Sequence, residues 1–178
     1  MATLSIVTYP KKILKQKAEE VSDITSQIKK LIPQMIETMY ASEGIGLAAP
    51  QIGISKRIII VETSDNPRAV VREGKDKPFK KAQGKPLGFL NPVITKKSGK
   101  PVIEEEGCLS LPGIFVRVKR SEKITLECQT TEGKVVKIEA GGLIARIFQH
   151  EIDHLNGKLI IDHLSPLKKL KLRFKKSA

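Results

Sequence analysis

The feature that most constrains this chain is a pair of histidines at the end of a strongly apolar segment. Segment 143–154 has apolar residues at helical spacing and is apolar nearly all round in its first turns, which predicts a buried helix. His150 and His154 are four positions apart, with Glu151 between them. Both imidazoles therefore lie on one side of the helix, where they can hold one metal ion.

A metal site requires at least a third protein ligand. A metzincin-type protease would need a histidine where the chain has Ile160, and a thermolysin-like enzyme would need a glutamate downstream of Glu151, where the sequence has none. Both observations disfavour a metallopeptidase. The residues leave three sources for the third ligand: Asp162, His163, or a cysteine from the strands upstream.

The two cysteines have different surroundings. A chain of 178 residues can form a stable core without a disulfide, so both are predicted to be free thiols. Cys108 follows Gly107, whose lack of a side chain lets the backbone approach a ligand. Cys128 ends an alternating strand and is predicted to be a core residue. Of the two cysteines, Cys108 is the better candidate ligand.

The rest of the sequence predicts an α+β fold. Before residue 42, apolar residues recur every three or four positions, which indicates a helix capped by Asp23 or Thr25, and Pro10 can begin a shorter helix. β-branched and alternating runs predict strands at 57–61, 89–95, 102–106, 114–119, 123–128 and 135–139. We expect a single domain, 1–178, with antiparallel sheets packed around the central buried HExxH helix, N-terminal helices and a C-terminal helix.

The net charge of +13 is concentrated in two segments. Segment 63–88 contributes +4 and is predicted to be a basic surface insertion, and segment 164–178 contributes +6 and is predicted to be a basic C-terminal helix. A nucleic-acid-binding protein without catalysis is the alternative that this charge favours. It leaves the histidine pair unexplained, and 4% aromatic residues with no tryptophan offer few platforms for base stacking.

Nothing in the sequence indicates a membrane protein. No apolar run approaches the roughly 20 residues that a spanning helix needs, and residues 1–7 lack the features of a signal peptide. We therefore expect a cytoplasmic location.

Three segments resemble the signature motifs of the peptide deformylases. They are GIGLAAPQ at 44–51, EGCLS at 106–110 and QHEIDHLNG at 149–157, and they occur in the family's order. The similarity extends from Tyr9 to Pro166, so it covers nearly the whole chain. The lysine-rich end resembles the bacterial deformylases that finish in a helix.

The resemblance implies a role for each motif residue. Cys108, His150 and His154 would bind the metal and leave a fourth position for water. Glu151 would act as general base and then acid, while the side chain of Gln51 and the backbone N–H of Leu109 would stabilise the oxyanion. The implied reaction is attack of metal-bound hydroxide on the formyl carbon of formyl-methionyl nascent chains, with release of formate.

The chemistry of these residue types agrees with that reaction. A divalent ion lowers the pKa of bound water from 15.7 to about 7, so hydroxide is available at neutral pH. One thiolate and two imidazoles suit Fe²⁺ as well as Zn²⁺, Ni²⁺ or Co²⁺. The resemblance implies Fe²⁺ in the cell and one of the other metals in preparations.

The resemblance also implies a methionine pocket. Ile45, Leu143 and Ile147 would line it, with plain core packing as the alternative for each. Gly46 and Gly107 would leave space for an extended substrate. One residue departs from the pattern: Arg146 is charged where an apolar residue is expected, which places it at the pocket rim or in solvent.

The tail raises a hypothesis about partners. Six cationic residues within 164–178 are suited to docking on ribosomal RNA, where formylated chains emerge. A solvated helix face is the alternative. The sequence predicts no oligomeric state.

Overall fold

One antiparallel sheet with two α-helices organises the computed structural model, which describes residues 3–63, 70–72, 80–81 and 86–169. Its strands are β1 (Gly46–Ala48), β2 (Ile58–Val61), β3 (Val70–Arg72), β4 (Lys80–Lys81), β5 (Leu87–Glu106), β6 (Val116–Gln129) and β7 (Val135–Gly141). They are hydrogen-bonded in the order β1-β2-β5-β6-β7-β3-β4. The helices are α1 (Ser26–Ala41) and α2 (Gly142–Leu155), and 3-10 turns lie at Lys12–Lys15, Ala49–Ile52 and Ile160–His163. The predicted α+β class is confirmed.

β5 and β6 are longer than the sequence patterns suggest. The predicted strands 89–95 and 102–106 are parts of β5, and 114–119 and 123–128 contribute to β6. Ser98 and Gly99 form no chain reversal, because the register with β6 shifts between Ser98 and Pro101 and pairing then continues. Such irregularities bend a strand without ending it. Hence one hydrogen-bonded sheet replaces the several sheets that we expected.

α2 is the central buried helix that the sequence predicts. It packs against β1, β2, β6 and β7, and its Phe148 ring lies 5.4 Å from the ring of Phe89 in the main core. Gly157, just beyond its end, has a φ of +68°, and a Cβ there would lie 2.6 Å from the carbonyl oxygen of Lys15. This glycine therefore lets the N-terminal segment close against the end of the helix.

α1 covers the opposite side of β1 and β2. The side chain of Thr25 caps it by accepting a hydrogen bond from the Ile28 N–H at 3.4 Å, which confirms that predicted cap. Pro33 lies within α1 without ending it. Met35 and Met39 are fully buried against β1 and β2, so α1 holds β1 in place.

The two basic segments are only partly described. Within 63–88, residues 70–72 pair with β7 and residues 80–81 pair with 70–71, so two short strands extend the sheet where a surface insertion was expected. Residues 64–69, 73–79 and 82–85 lie outside the described part of the chain. In the predicted C-terminal helix, 166–169 are helical and 170–178 lie outside it. None of the helices described is long and apolar enough to cross a membrane.

Candidate metal centre and its cavity

Three candidate ligand atoms lie close together between the end of β5 and α2. Cys108 lies just after β5, and α2 carries His150 and His154. His154 Nε2 is 3.2 Å from Cys108 Sγ and 3.2 Å from His150 Nε2, and all three ligand atoms lie within 4.8 Å of one another. Ligands at 2.0–2.3 Å from one tetrahedral ion lie about 3.5 Å apart. The donor set therefore fits a small divalent cation.

His150 is oriented for that role by its other ring nitrogen. His150 Nδ1 lies 2.9 Å from Glu106 Oε2, which leaves Nε2 to face the other two ligands. His154 is buried, and this burial lowers its pKa well below the ordinary value, which keeps the imidazole neutral. Neutral imidazole nitrogens are the form that binds metal.

The other candidate ligands lie elsewhere. Asp162 pairs with Lys15 and accepts a hydrogen bond from the Leu159 N–H at 2.8 Å. His163 Nε2 lies 2.8 Å from Asp153 Oδ2. Cys128 is a buried core residue, as predicted, and burial raises the pKa of its thiol to about 12. Of the alternatives that the sequence leaves open, only Cys108 joins the histidines.

A buried ion-pair network lies behind His150, and the sequence does not predict it. Arg120 donates to both carboxylate oxygens of Glu106 at 2.9 Å and to Asp153 at 2.5 Å. Burial alone would raise the pKa of Glu106, but the hydrogen bonds from Arg120 and His150 outweigh it and lower this pKa to about 2. Glu106 lies in the recognisable EGCLS segment, but its pairing with Arg120 depends on how β5 and β6 align.

Glu151 lies in the same region without an ion pair to Arg120. It is 3% exposed, its Oε2 has no hydrogen-bond partner among the described residues, and burial raises its pKa to about 7. Gly46 on β1 lies directly against it. A Cβ at Gly46 would collide with Glu151 Oε1 and lie 2.8 Å from Ile147 Cγ2. The glycine therefore lets β1 close over this carboxylate.

Gln51 presents its amide nitrogen to the ligand group. Its Oε1 accepts a hydrogen bond from the Ala48 N–H at 2.8 Å, which fixes the amide, and its Nε2 lies 3.7 Å from Cys108 Sγ. Leu109 directly follows Cys108, and its backbone N–H makes no backbone hydrogen bond within the described ranges. Two hydrogen-bond donors thus lie beside the candidate metal ligands.

A cavity of about 600 Å³ opens onto this group. Its lining includes all five residues predicted to bind substrate: Ile45, Gly46, Gly107, Leu143 and Ile147. The side chains of Ile45 and Leu143 are 48% and 44% exposed, so core packing does not account for them, whereas Ile147 belongs to both core and cavity wall. Phe115, 67% exposed and close to Gly107, also lines the cavity and was not predicted.

Comparison with known proteins decides the family. The sequence profile of the polypeptide deformylases matches residues 3–170. The chain belongs to this family. As a family member it is a hydrolase, and its similarity to curated relatives extends over almost its full length. The peptide deformylase of Thermodesulfovibrio yellowstonii is 48% identical over 169 residues, which cover 95% of this chain and 93% of the relative.

Solved deformylase structures share its fold. The peptide deformylase of Ehrlichia chaffeensis in complex with actinonin matches with a TM-score of 0.83 and 37% identity, covering 100% of both chains. The class I type b peptide deformylase of Acinetobacter baumannii, solved with Met-Ala-Ser bound, matches with a TM-score of 0.77 and 34% identity, covering 92% of this chain and 99% of that one. The α+β architecture is thus that of known deformylases.

Proposed function

We propose that this family member hydrolyses the N-terminal formyl group of formyl-methionyl polypeptides. The grouping of Cys108, His150 and His154 beside a buried glutamate, at the floor of a partly apolar cavity, supports this proposal most directly. Family membership supports the same reaction. Ile160 and the absence of a glutamate after Glu151 disfavour a metallopeptidase.

Cys108, His150 and His154 would hold one divalent metal ion. When bound, that ion supplies Lewis acidity, which lowers the pKa of water to about 7. The thiolate and imidazoles suit Fe²⁺, which we propose as the cellular metal, and also Zn²⁺, Ni²⁺ or Co²⁺. Glu106 holds His150 in the ligating orientation from behind.

Glu151 is the proposed general base and acid. Because its pKa is raised to about 7, it is ionised in part of the molecules at neutral pH and can take a proton from the attacking water. The same carboxyl can then return the proton to the leaving amine. Its burial keeps bulk water away from that proton transfer.

Gln51 and Leu109 are the proposed oxyanion donors. The Ala48 N–H fixes the carbonyl side of the Gln51 amide, so the NH₂ side is available to the formyl oxygen as negative charge develops. The Leu109 N–H would be the second donor. Removing one donor of this kind typically costs about 3 kcal/mol of transition-state stabilisation.

The methionine side chain would occupy the apolar part of the cavity. An apolar space that suits an unbranched side chain is lined there by Ile45, Leu143 and Ile147. Gly46 and Gly107 have no side chains to block an extended peptide. In the order of the described strands β1 lies at an edge, with β2 as its neighbour. A substrate strand can add to such an edge through main-chain hydrogen bonds. A deformylase bound to Met-Ala-Ser is among the similar structures.

The test is release of formate from formyl-Met-Ala-Ser, with metal content measured in the same samples. We expect turnover by the metal-loaded protein, loss of turnover with retained metal in Glu151→Gln, and loss of metal in Cys108→Ala. Cys128→Ala is the matched cysteine control and keeps its metal. Absence of formate release by protein loaded with Fe²⁺ or Ni²⁺ would overturn the proposal.

We further propose that the enzyme works in the cytoplasm and docks on ribosomal RNA through the basic tail. The tail carries six cationic residues and no acidic one within 164–178. Docking through phosphate contacts predicts cosedimentation with ribosomes that weakens steeply as salt rises. Deleting residues 167–178 should abolish it while peptide deformylation continues, and cosedimentation that survives the deletion contradicts the proposal.

A further inference from the structure

One charged side chain of the cavity wall has no part in the proposed hydrolysis. Arg146 lies on α2 four residues before His150, so the two side chains share one face of the helix. It lines the cavity with Leu143 and Ile147, and its side chain is 24% exposed. Among the described lining residues, it is the only lysine or arginine. The charged residue that interrupts the apolar pattern thus lies in the wall of the cavity.

The ion pair that the Arg146 guanidinium makes is weak. Its ion pair within the described ranges is with Glu104 on β5, where Nη1 lies 3.5 Å from Oε2 of a carboxylate that is 58% exposed. Exposed pairs of this kind contribute little, and a guanidinium has five N–H donors. Arg120 is the contrast within this chain, because it is 5% exposed and bound to both Glu106 and Asp153. Arg146 therefore keeps donors for a ligand in the cavity.

Two exposed carboxylates line the cavity on elements other than α2. Glu43 and Glu105 also line the cavity, from the end of the α1 segment and from β5, and both are exposed. They disfavour a carboxylate near their own walls. On the α2 wall Arg146 lies beside the apolar residues that would hold methionine, so it is placed to meet the substrate residues that follow.

We propose that Arg146 is a specificity-determining residue, favouring formyl-methionyl chains that carry an acidic side chain in the second or third position. The substrate carboxylate replaces Glu104 as the partner of the guanidinium. This inference rests on the proposed deformylase function. It adds a charge preference to the methionine preference that the apolar walls provide.

The test compares amidated peptides that differ only in one charge. For each enzyme, kcat/KM for the aspartate peptide is divided by kcat/KM for the asparagine peptide. One series compares formyl-Met-Asp-Ser with formyl-Met-Asn-Ser amides, and a second series places aspartate or asparagine in the third position. The wild-type ratio should be about fivefold in at least one series at low salt, and should fall as salt screens the pair. Because each ratio is taken within one enzyme, a general loss of activity cancels.

Variants of the two partners in the ion pair should move the ratio in opposite directions. Arg146→Met keeps the aliphatic stem and should bring the ratio to about one, whereas Arg146→Lys should keep part of the preference. Glu104→Gln removes the competing carboxylate and should raise the ratio above wild type. Lys134→Ala, at an exposed position in the turn before β7, is the control and should leave the ratio unchanged.

The outcomes separate this inference from the proposed function. A wild-type ratio below about twofold in both series, or a ratio that Arg146→Met leaves unchanged, overturns the role of Arg146. Failure to hydrolyse any formylated peptide, including the asparagine peptides, overturns the deformylase function itself.

Discussion

Glu106 Oε2 lies 2.9 Å from Nδ1 of His150, and both oxygens of that carboxylate accept hydrogen bonds from Arg120. Arg120 thus acts on the candidate metal centre without touching it. Removing the guanidinium leaves the buried Glu106 carboxylate without its cationic partner, so the carboxylate holds the imidazole less firmly. The candidate ligands are therefore held by β5 and β6 as well as by α2.

We expect Arg120→Met to weaken metal binding by 10- to 100-fold, because contacts that orient ligating histidines have effects of this size. Metal affinity is measured by competition with a chromophoric chelator. Arg117→Met, at an exposed position of the same strand, is the matched control and should bind metal like wild type. Equal affinities for the two variants would contradict the orienting role of Arg120.

The network should also determine part of the acid stability. The pKa of Glu106 is lowered to about 2 in the folded state, from an ordinary value of 4.5. A lowered pKa stabilises the fold above pH 4.5, and that contribution is lost as the pH falls towards 2. At neutral pH it is on the order of 3 kcal/mol.

The measurement is urea unfolding of metal-stripped protein at several pH values between 2 and 5. We expect the free energy of unfolding to fall with decreasing pH in wild type, and to fall less steeply in Glu106→Gln. Metal-stripped samples remove the contribution of ligand protonation to metal release. Parallel curves for the two proteins would rule out Glu106 as the titrating group.

The absence of a side chain at Gly46 predicts an effect on catalysis, because it leaves room for Glu151. A Cβ at this position would collide with Glu151 Oε1, so Gly46→Ala must displace either β1 or the proposed general base. We expect kcat on formyl-Met-Ala-Ser to fall at least ~10²-fold, as small misplacements of reacting groups do, with metal content unchanged. At Gly141 an added Cβ would make only ordinary contacts, the nearest at 3.7 Å, so Gly141→Ala is the control. Wild-type kcat in Gly46→Ala would contradict the close approach.

The parts of the site that can be predicted from the sequence are those that depend on the local spacing of residues. The four-residue separation of His150 and His154 defines their shared face on any helix, and the apolar run before them predicts its burial. The third ligand cannot be predicted from local spacing. From the residues alone, Asp162, His163 and a cysteine all stayed open, and the resemblance rather than spacing favoured Cys108, which lies 46 positions from His154.

What the sequence could not provide depends on long-range register. Arg120 meets Glu106 because 101–106 of β5 pair with 116–121 of β6, and no local sequence pattern encodes that alignment. Further along the same two strands, pairing resumes after a register shift between Ser98 and Pro101, so Ser98 and Gly99 carry turn chemistry without forming a turn. Phe115 was missed because an exposed aromatic residue has no periodic signal.

The two cysteines should differ sharply towards alkylating reagents. Cys108 lines the cavity, whereas Cys128 is 3% exposed and burial raises the pKa of its thiol to about 12, so almost no thiolate forms there. Mass spectrometry after iodoacetamide should find no adduct on metal-loaded protein, one adduct, at Cys108, after chelation, and two in urea. Cys108→Ala should acquire its single adduct only in urea. Since a coordinated thiolate is shielded from the reagent, alkylation of Cys108 at equal rates with and without metal would exclude it as a ligand.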